Sequence, residues 1–352
     1  MIKSSYNIVG VMSGTSLDGI DLAHISFDFD SKWTFKIHSA ETIPYTDLWQ
    51  QTLSNLVSLD KKAITKIDDD YTTYLAQTIH SFILKHQLKN LDAICSHGHT
   101  ALHQPEEHLT YQIGNQPKLA KLTNTKIVCD FRTQDVLLGG QGAPLVPIGD
   151  QLLFSEYDYC INLGGFANVS SEKNNQRIAY DICPVNIIMN HYTRQLGFDY
   201  DEGGQIAKSG RLNNDLLTVL NAIDFYAASP PKSLGVEWVE KQISPLLETS
   251  KLSVKDILRT CVEHIAIQIT NNIKSNSKVL FTGGGTYNTF LLERIKAHKN
   301  FELIVPSKSI IEFKEALIFG LLGVLKLRGE INCLSSVTGA RNDHSSGEIY
   351  YP

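Results

Sequence analysis

The stretch VGVMSGTSLDGID at residues 9–21 constrains the fold of this chain most strongly. The apolar run at residues 6–11 predicts a short strand before it, and the alternation of apolar and polar residues at 20–27 predicts a second strand after it. Glycine and hydroxyl side chains crowd the turn between the two strands. Because glycines let backbone amides approach an anion and hydroxyls add donors, this pattern predicts a phosphate-binding turn.

The turn is not a Walker A loop, since no Gly-Lys-Ser/Thr follows it and no helix is expected next. With no lysine in the turn, Mg²⁺ would meet the phosphate charge, and Asp18 and Asp21 are available to hold the ion or its waters. An ordinary Gly/Ser hairpin is the alternative that this stretch alone leaves open.

Length and composition favour two domains of ordinary size in a soluble protein. The chain has 352 residues, 42% of them hydrophobic, and a net charge of −5, which argues against general nucleic-acid binding. No signal peptide is expected, and no run approaches the roughly 18 apolar residues of a membrane span. The six cysteines are scattered without a CxxC pair, so we expect reduced thiols and a cytoplasmic location.

Local patterns divide the chain at the Gly/Pro-rich stretch 139–147, which places domains at residues 1–140 and 141–352. The C-terminal tail can belong to either. In the first domain the patterns predict a mixed sheet flanked by helices, with an acidic run at the start of the second helix. Its expected strands are 6–11, 20–27, 26–43, 91–96 and 126–130, and its expected helices are 47–59 and 67–86.

The second domain is expected to repeat this plan. Its predicted strands are 157–163, 166–170, 177–181 and 278–281, and its predicted helices are 186–196, 251–274, 288–298 and 312–327. Two glycine turns follow strands here, at Gly164-Gly165 and at residues 283–285. The two strand–turn–strand units would place two phosphate loops face to face across a cleft, and the remaining turn would take the base and ribose of a nucleotide.

Eight stretches of the chain resemble the anhydro-N-acetylmuramic acid kinase family, of the actin–hexokinase–heat-shock-ATPase superfamily. They are GVMSGTSLDGID (10–21), SHGHT (96–100), DFR..D...GGQGAPLVP (130–147), NLGG.AN.S (162–170), PPKS.G.E (230–237), TGGG..N (282–288), EAL.FG (315–320) and VTGA (337–340). The first and third of these are the most specific, and together the eight span essentially the whole chain.

The resemblance implies an α/β fold of two ribonuclease-H-like domains, each a mixed five-stranded sheet flanked by helices, around a cleft for Mg·ATP and a 1,6-anhydro sugar. The implied reaction serves the recycling of cell-wall peptidoglycan. Water opens the anhydro ring of 1,6-anhydro-N-acetylmuramic acid, and the freed O6 takes the γ-phosphoryl group to give N-acetylmuramic acid 6-phosphate and ADP. The family further implies a homodimer, with no nucleic-acid or membrane partner.

The resemblance also assigns roles to individual residues. Asp181 aligns with the family's catalytic base, and Glu315 is a second catalytic candidate that would share the water or a sugar hydroxyl. Each also has a purely structural alternative, as a turn residue and as a helix N-terminal carboxylate. The residues assigned to ATP are Ser13, Gly14, Thr15, Ser16, Leu17, Asp18, Gly19, Ile20, Asp21, Gly164, Gly165, Asn168, Gly283, Gly284, Gly285 and Asn288, with Asp18 holding Mg²⁺ through water.

On the sugar side, the assigned residues are His97, Thr100, Arg132 and Asn186. Arg132 is the only arginine before Arg177, and its planar fork suits the lactyl carboxylate of a muramic acid. Thr100 and Asn186 stand at matching family positions and would hydrogen-bond the sugar.

Four clustered histidines raise the alternative of a zinc site, because neutral imidazoles are common Zn²⁺ ligands. They are His97, His99, His103 and His108. No cysteine or carboxylate stands at tight ligand spacing, and His97 falls within the family's HG.T motif. We therefore favour histidines that line the cleft or cap elements.

This sequence departs from the family mainly around Asp181. The family commonly reads Asp-Thr-Gly-Pro-Gly-Asn and has a further Asp shortly after, whereas this chain reads Asp-Ile-Cys-Pro-Val-Asn at 181–186 and has Asn190. His99 replaces a usual glutamine, and Leu234 and Val236 replace Thr and Arg. These changes leave open a related kinase for another anhydro or amino sugar. A non-catalytic, ATP-gated sensor is the alternative of another class, although such a protein would not need a base at Asp181.

Overall fold

The computed structural model describes residues 3–14 and 17–352, which form two compact units. Unit 1 combines the described residues up to Leu153 with Phe313–Pro352, and unit 2 is Phe154–Glu312. The division therefore lies after the predicted boundary at 140/141, and the C-terminal segment belongs to unit 1. At Phe313 the backbone leaves helical geometry (φ −116°, ψ 17°) within a longer helix.

Unit 1 contains one large sheet, a separate hairpin and the helices that pack against them. Its strands are β1 (Ser5–Ser13), β2 (Gly19–Asp30), β3 (Lys32–Pro44), β4 (Ala93–Ser96), β5 (His99–Gln104), β6 (Leu109–Ile113), β7 (Ile127–Cys129) and, from the C-terminus, β13 (Glu348–Tyr350). Its helices are α1 (Asp47–Ser54), α2 (Lys61–Lys85), α3 (Lys118–Thr123), α4 (Thr133–Leu137), α5 (Pro147–Leu153), α14 (Lys308–Arg328, from Phe313 onward) and α15 (Ser335–Thr338).

Unit 2 is built from a continuous segment of the chain. Its strands are β8 (Tyr159–Leu163), β9 (Phe166–Lys173), β10 (Gln176–Pro184), β11 (Lys278–Thr282) and β12 (Glu302–Ile304). Its helices are α6 (Asn186–Arg194), α7 (Gln205–Ser209), α8 (Asn214–Asn221), α9 (Asp224–Ala227), α10 (Val236–Gln242), α11 (Ser244–Thr249), α12 (Val254–Asn271) and α13 (Thr289–His298).

The two sheets share one strand plan, which confirms the predicted α/β fold. In the described residues of unit 1 the strand order is β13-β7-β4-β1-β2-β3, and in unit 2 it is β10-β9-β8-β11-β12. Read from β3 in unit 1 and from β10 in unit 2, each sheet begins with three antiparallel strands in reverse chain order, β3-β2-β1 and β10-β9-β8. Two strands that run parallel to the third then follow, β4-β7 and β11-β12. The expected five-stranded sheet holds for unit 2, whereas β13 adds a sixth strand to unit 1 by pairing antiparallel with β7.

Two local predictions were wrong, and one hairpin was missed. Helix α2 begins at Lys61 rather than residue 67, so Asp68 lies inside the helix, where it is buried and accepts hydrogen bonds from Gly114 N (2.7 Å) and Tyr111 Oη (2.5 Å). The β5–β6 hairpin was not predicted. Strand β10 does not end on Asp181 but continues to Pro184, past a β-bulge.

Helix α14 crosses the sheet of unit 1 at very short range because small residues line the contact. A Cβ on Gly10 would lie 2.1 Å from the carbonyl oxygen of Ala316, and a Cβ on Gly323 would lie 2.2 Å from Cys95 Sγ. Ala316, Gly320 and Gly323 are spaced four and three residues apart and so share one face of the helix. The residue before Ala316, Glu315, is thereby fixed relative to strand β1.

The core of unit 2 lies between its sheet and helix α12. Ser253 caps this helix by accepting a hydrogen bond from Asp256 N (3.3 Å), and the residues Leu258, Ile265 and Ile269 are fully buried.

Within residues 3–14 and 17–352, no helix is both long enough and apolar enough to cross a lipid bilayer.

We expect Gly10→Ala to destabilise unit 1 by about 3 kcal/mol or more, because the added methyl group would meet the rigid backbone of α14. Gly320→Ala is the matched control. Its Cβ would meet the ends of side chains and no backbone, namely Ile8 Cδ1 at 2.8 Å, Ile25 Cδ1 at 3.3 Å and Phe27 Cε2 at 3.4 Å. Alanine also favours the helix, so we expect a change of about 1 kcal/mol or less. Urea unfolding measures both, and equal effects of the two substitutions would contradict the close backbone contact.

Candidate functional site

The first glycine turn joins β1 to β2, with Ser13 opposite Ile20 in the ladder. Of the residues predicted to bind ATP here, Thr15 and Ser16 lie outside the described residues. Asp18 is exposed at the turn, whereas Ile20 is fully buried and offers only its backbone. Gly19 is explained by packing, since a Cβ there would lie 2.5 Å from Ile43 O on β3.

Ser13 belongs to a buried chain of hydrogen bonds behind this turn. Its Oγ lies 2.8 Å from His99 Nδ1 and 2.6 Å from the Tyr45 hydroxyl, which in turn lies 2.6 Å from the Tyr71 hydroxyl. Burial lowers the pKa of His99 to about 4 and raises the pKa of Tyr71 to about 12, so all these groups are neutral at pH 7. His99 therefore orients the serine that begins the turn.

Arg132 is held in a fixed direction by two acceptors. Its Nε donates to His97 Nε2 (2.8 Å), and its Nη1 donates to the Gly142 carbonyl (2.6 Å). His97 Nδ1 lies 2.9 Å from Gly98 O and donates to it, which leaves Nε2 as the acceptor. Burial and the neighbouring Arg132 hold the pKa of His97 well below its usual range, and burial lowers the pKa of Arg132 to about 10. The guanidinium is therefore cationic at pH 7.

Glu315 keeps an exposed surface on α14 while its neighbours set its charge state. Desolvation by the surrounding protein raises the pKa of its carboxyl, and the cations Arg132 and Lys314 oppose this rise. Lys314 itself is buried in an ion pair with Asp150 (2.7 Å). Thr100, half-buried on β5, follows His99 and pairs with Gln112.

In unit 2, the segment between α9 and α10 forms two hydrogen bonds with Asp181. The Asp181 N–H donates to Lys232 O (3.0 Å), and Leu234 N donates to Asp181 Oδ2 (2.8 Å). No described residue donates to the other carboxylate oxygen, Oδ1, which leaves it available to a water molecule. Burial raises the pKa of this carboxyl, and the Leu234 N–H opposes the rise. The carboxylate is thus oriented by its backbone neighbours and made more basic than an ordinary aspartate.

The two glycine turns of unit 2 meet around Asn162, a residue to which the sequence analysis gave no role. A Cβ on Gly164 would lie 3.1 Å from Asn162 Nδ2, and a Cβ on Gly283 would lie 2.5 Å from Asn162 Oδ1. Its strand partners include Asn168 on β9, which pairs in turn with Asp181 on β10. Asn162 is the first residue of the NLGG.AN.S motif, and this position was the one sequence feature that could have indicated a role for it.

Asn186 lies beside these turns as well. Its N–H donates to Gly164 O (3.2 Å), and its side-chain Nδ2 donates to Leu163 O (3.3 Å). A Cβ on Gly285 would lie 3.5 Å from its Oδ1, while Gly284 has open space around it. The structure thus places this predicted sugar ligand next to the predicted nucleotide turns.

A further glycine turn, Gly203-Gly204, was missed. Asp201 caps it, accepting from Ile206 N (2.8 Å) and Ala207 N (2.9 Å). A Cβ on Gly204 would lie 2.2 Å from Oδ1 of Asn288, which caps helix α13. The DEGG sequence at 201–204 was the local signal, but no predicted strand preceded it.

The clustered histidines form hydrogen bonds with other groups. Besides the contacts of His97 and His99, His103 Nδ1 lies 3.0 Å from Thr110 Oγ1, and His108 Nδ1 lies 3.4 Å from Val136 O. The metal-type cluster found among the described residues contains none of the four.

A search of sequence families identifies this chain over nearly its whole length. The sequence model of the anhydro-N-acetylmuramic acid kinase family matches residues 6–352. The chain belongs to this family. Curated relatives with the name anhydro-N-acetylmuramic acid kinase include those of Pseudomonas fluorescens (33% identical, covering 97% of this chain and 98% of the relative) and Saccharophagus degradans (34%, covering 98% of each). As a member of this family the chain is an ATP-dependent sugar kinase, as predicted.

Solved structures similar to this kinase include the activator of the 2-hydroxyisocaproyl-CoA dehydratase from Clostridium difficile (TM-score 0.45, 14% identical, covering 92% of this chain and 96% of that one). Another is a ROK family glucokinase from Streptomyces griseus (TM-score 0.39, 12% identical, covering 91% and 98%).

The low pKa of the buried His99 makes the stability of the kinase depend on pH. Its pKa is about 4 in the folded protein and near 6.5 in an unfolded chain, so the unfolded state binds more protons between these values. The free energy of unfolding should therefore fall as pH drops from 6.5 to 4, by about 3 kcal/mol from this residue.

We expect His99→Gln to remove that part of the pH dependence, as measured by urea unfolding at pH 7 and at pH 4. Thr100→Ala changes a non-titrating neighbour on the same strand and should retain the wild-type dependence. A His99→Gln protein that loses as much stability as the wild type would contradict the burial of a neutral His99.

Proposed function

We propose that this kinase hydrolytically opens the ring of 1,6-anhydro-N-acetylmuramic acid and phosphorylates O6, giving N-acetylmuramic acid 6-phosphate and ADP. The observation that carries the proposal is the match of the family over residues 6–352, with relatives that carry the family name covered almost completely. The role that follows is the recycling of cell-wall peptidoglycan.

We assign Asp181 as the base that takes a proton from the attacking water. Its pKa is raised and its Oδ2 is fixed by Leu234 N at 2.8 Å, which supports a directed and basic Oδ1. The proton would leave the water as its oxygen bonds to the anomeric carbon, and the bond from that carbon to the bridging oxygen O6 would break. O6 would then attack the γ-phosphorus, whose bond to the β,γ-bridging oxygen would break to release ADP. Glu315, an exposed residue whose carboxyl has a pKa raised by desolvation, is assigned to a sugar hydroxyl or to the same water.

We assign Arg132 to the lactyl carboxylate of the sugar. The contacts with His97 and Gly142 fix the plane of the guanidinium, and the remaining N–H donors form the fork that a carboxylate accepts bidentately. His97 acts through Arg132, and Thr100 is assigned to a sugar hydroxyl. Asn186 was predicted to bind the sugar, but its position beside Gly164 and Gly285 supports a nucleotide contact equally well.

We assign the glycine turns to ATP, with the Ser13–Asp21 turn and the Gly164-Gly165 turn taking phosphates, and residues 283–285 with Asn288 taking the nucleoside. The open space at Gly284 and the exposure of Asn168 support these contacts. Asp18 offers an exposed carboxylate, a hard oxygen ligand that suits Mg²⁺ through its waters. When bound, Mg²⁺ would neutralise phosphate charge.

Two further parts of the proposal concern the cell and the assembly. All six cysteines are free and buried, which supports a reducing, cytoplasmic location. A homodimer remains a proposal from the family alone.

The alternative substrate, another anhydro or amino sugar, arose from the lost glycines near Asp181. Cys183 and Val185 occupy those positions with side chains that are 0% and 1% exposed in the core of unit 2. Because these substitutions fill the protein interior, they do not by themselves favour a different sugar.

A coupled ADP-release assay with Mg·ATP tests the proposal, comparing 1,6-anhydro-N-acetylmuramic acid, N-acetylmuramic acid, anhydro-N-acetylglucosamine and no sugar. We expect ADP release with the anhydro-muramic sugar, and mass spectrometry in ¹⁸O-water should place solvent oxygen at C1 and phosphate at O6. Turnover that favours a sugar without the lactyl carboxylate would overturn both the substrate and the role of Arg132. ATP binding without turnover of any sugar would favour the sensor.

We expect Asp181→Asn to lower kcat by at least about a hundredfold, since general-base catalysis contributes on this scale, while ATP binding stays nearly unchanged. Asn keeps an oxygen for the Leu234 N–H, so the fold should survive. The matched control is Asp201→Asn, a cap carboxylate of the same unit, which should lower stability more than it lowers kcat. Near-wild-type kcat in Asp181→Asn would exclude it as the base.

A further inference from the structure

Three metal-ligating side chains meet in unit 1, apart from the residues assigned to the reaction. They are Asp135 on α4 and Cys333 and His344 in the C-terminal segment, and they are 0%, 1% and 6% exposed. Asp135 Oδ1 lies 3.1 Å from Cys333 Sγ and 3.6 Å from His344 Nε2, and the three ligand atoms all lie within 4.8 Å of one another.

The backbone holds two of the ligands side by side. Cys333 and His344 form an isolated antiparallel bridge, in which each N–H donates to the other's carbonyl at 3.1 and 3.2 Å. Asn332 reinforces the bridge, since its Nδ2 donates to Leu322 O and Ser346 O and its Oδ1 accepts from Ser346 N. The two side chains are thus positioned before any ion binds.

One ring nitrogen of His344 has a lone pair that accepts no hydrogen bond from any described residue. Its Nδ1 lies 3.1 Å from Asn342 O and donates to that carbonyl, which makes Nε2 the unprotonated nitrogen. Nε2 is buried without a hydrogen-bond donor among the described residues. A backbone carbonyl on one ring nitrogen and a free lone pair on the other is the arrangement of histidines that bind metals.

Asp135 is oriented by groups outside the cluster. Its Oδ1 accepts from Thr338 Oγ1 (2.7 Å), and its Oδ2 accepts from Gly142 N (2.7 Å). Hydrogen bonds of this kind fix the direction of a ligating carboxylate. Oδ1 also lies 3.1 Å from Cys333 Sγ and 3.6 Å from His344 Nε2, so its second lone pair is the one available to an ion.

We propose that Asp135, Cys333 and His344 form a binding site for Zn²⁺ that fastens the C-terminal segment to unit 1. Ligand atoms about 2.0–2.3 Å from a tetrahedral zinc are about 3.3–3.7 Å apart. The two separations from Asp135 Oδ1, 3.1 Å to Cys333 Sγ and 3.6 Å to His344 Nε2, are close to this, and the third separation, between Sγ and Nε2, is at most 4.8 Å. On binding, the Cys333 thiol would release its proton to solvent and its thiolate would bond to the ion, with water as the fourth ligand. Thiolate and imidazole suit zinc and do not suit Mg²⁺, so the site is distinct from the metal of Mg·ATP.

The alternative is a metal-free cluster in which the Cys333 thiol donates to Asp135 Oδ1. That arrangement satisfies the thiol, but Asp135 Oδ1 lies 3.6 Å from His344 Nε2, too far for a hydrogen bond whether or not the imidazole is protonated. Nε2 is then left without a hydrogen-bond partner among the described residues, in the protein interior, where polar atoms normally have one. An ion accounts for all three side chains at once.

Cobalt(II) is a spectroscopic probe for this site because it replaces zinc and absorbs strongly when a thiolate binds it. Full-length protein is stripped with a chelator and titrated with Co²⁺, then with Zn²⁺. We expect one equivalent of Co²⁺, tetrahedral d–d bands, a near-ultraviolet thiolate-to-cobalt band, and displacement by Zn²⁺. Zinc should also raise the melting temperature of the stripped protein.

Variants separate a site from incidental metal binding. Cys333→Ser should abolish the thiolate band, and His344→Gln should weaken Zn²⁺ binding by at least about a hundredfold. Cys261→Ser, at a buried cysteine of unit 2, should retain wild-type binding. If wild-type protein binds no Co²⁺ at micromolar concentration, or if the thiolate band survives Cys333→Ser, the proposal is overturned. The spectra of the wild type and of His344→Gln decide the matter even if Cys333→Ser does not fold.

Discussion

The contact between helix α14 and strand β1 is the constraint on which the rest of unit 1 depends. A helix can approach a strand this closely only where the facing residues are very small, and here a single added Cβ on Gly10 would lie 2.1 Å from the Ala316 carbonyl. The contact fixes Glu315 one residue away, and Lys314 turns inward to its buried ion pair with Asp150. One contact between backbones thereby positions both a candidate catalytic carboxylate, Glu315, and a structural cation, Lys314.

Buried polar groups in unit 1 act by orienting other residues. His99 fixes Ser13, and His97 fixes Arg132. In both cases a neutral imidazole in the protein interior forms a hydrogen bond with a neighbour whose direction matters. Because an unsatisfied polar group is costly in the interior, such contacts give few alternative arrangements.

Local patterns in the sequence predicted the strands around each glycine turn, because alternation and glycine punctuation act within a few residues. They placed Asp68 at the start of a helix rather than in its interior, and they did not predict its hydrogen bond with Gly114 N, since that partner is distant in sequence. Cys183 and Val185 illustrate the same limit. Their departure from the family suggested a changed loop. In the structure both side chains are buried, Cys183 within strand β10 and Val185 directly after it. The turn at Gly203-Gly204 was missed because it follows irregular backbone.

The interrupted chain of unit 1 has a consequence for biosynthesis. Unit 2 is one continuous segment, so all of its strands are synthesised before α14 is complete. The sheet of unit 1, although most of it is made first, must wait for α14 to cover Gly10 and for β13 to pair with the edge of β7. The continuous unit can therefore complete its folding first, while the sheet of unit 1 keeps an exposed, aggregation-sensitive surface on the nascent chain until β13 has been made.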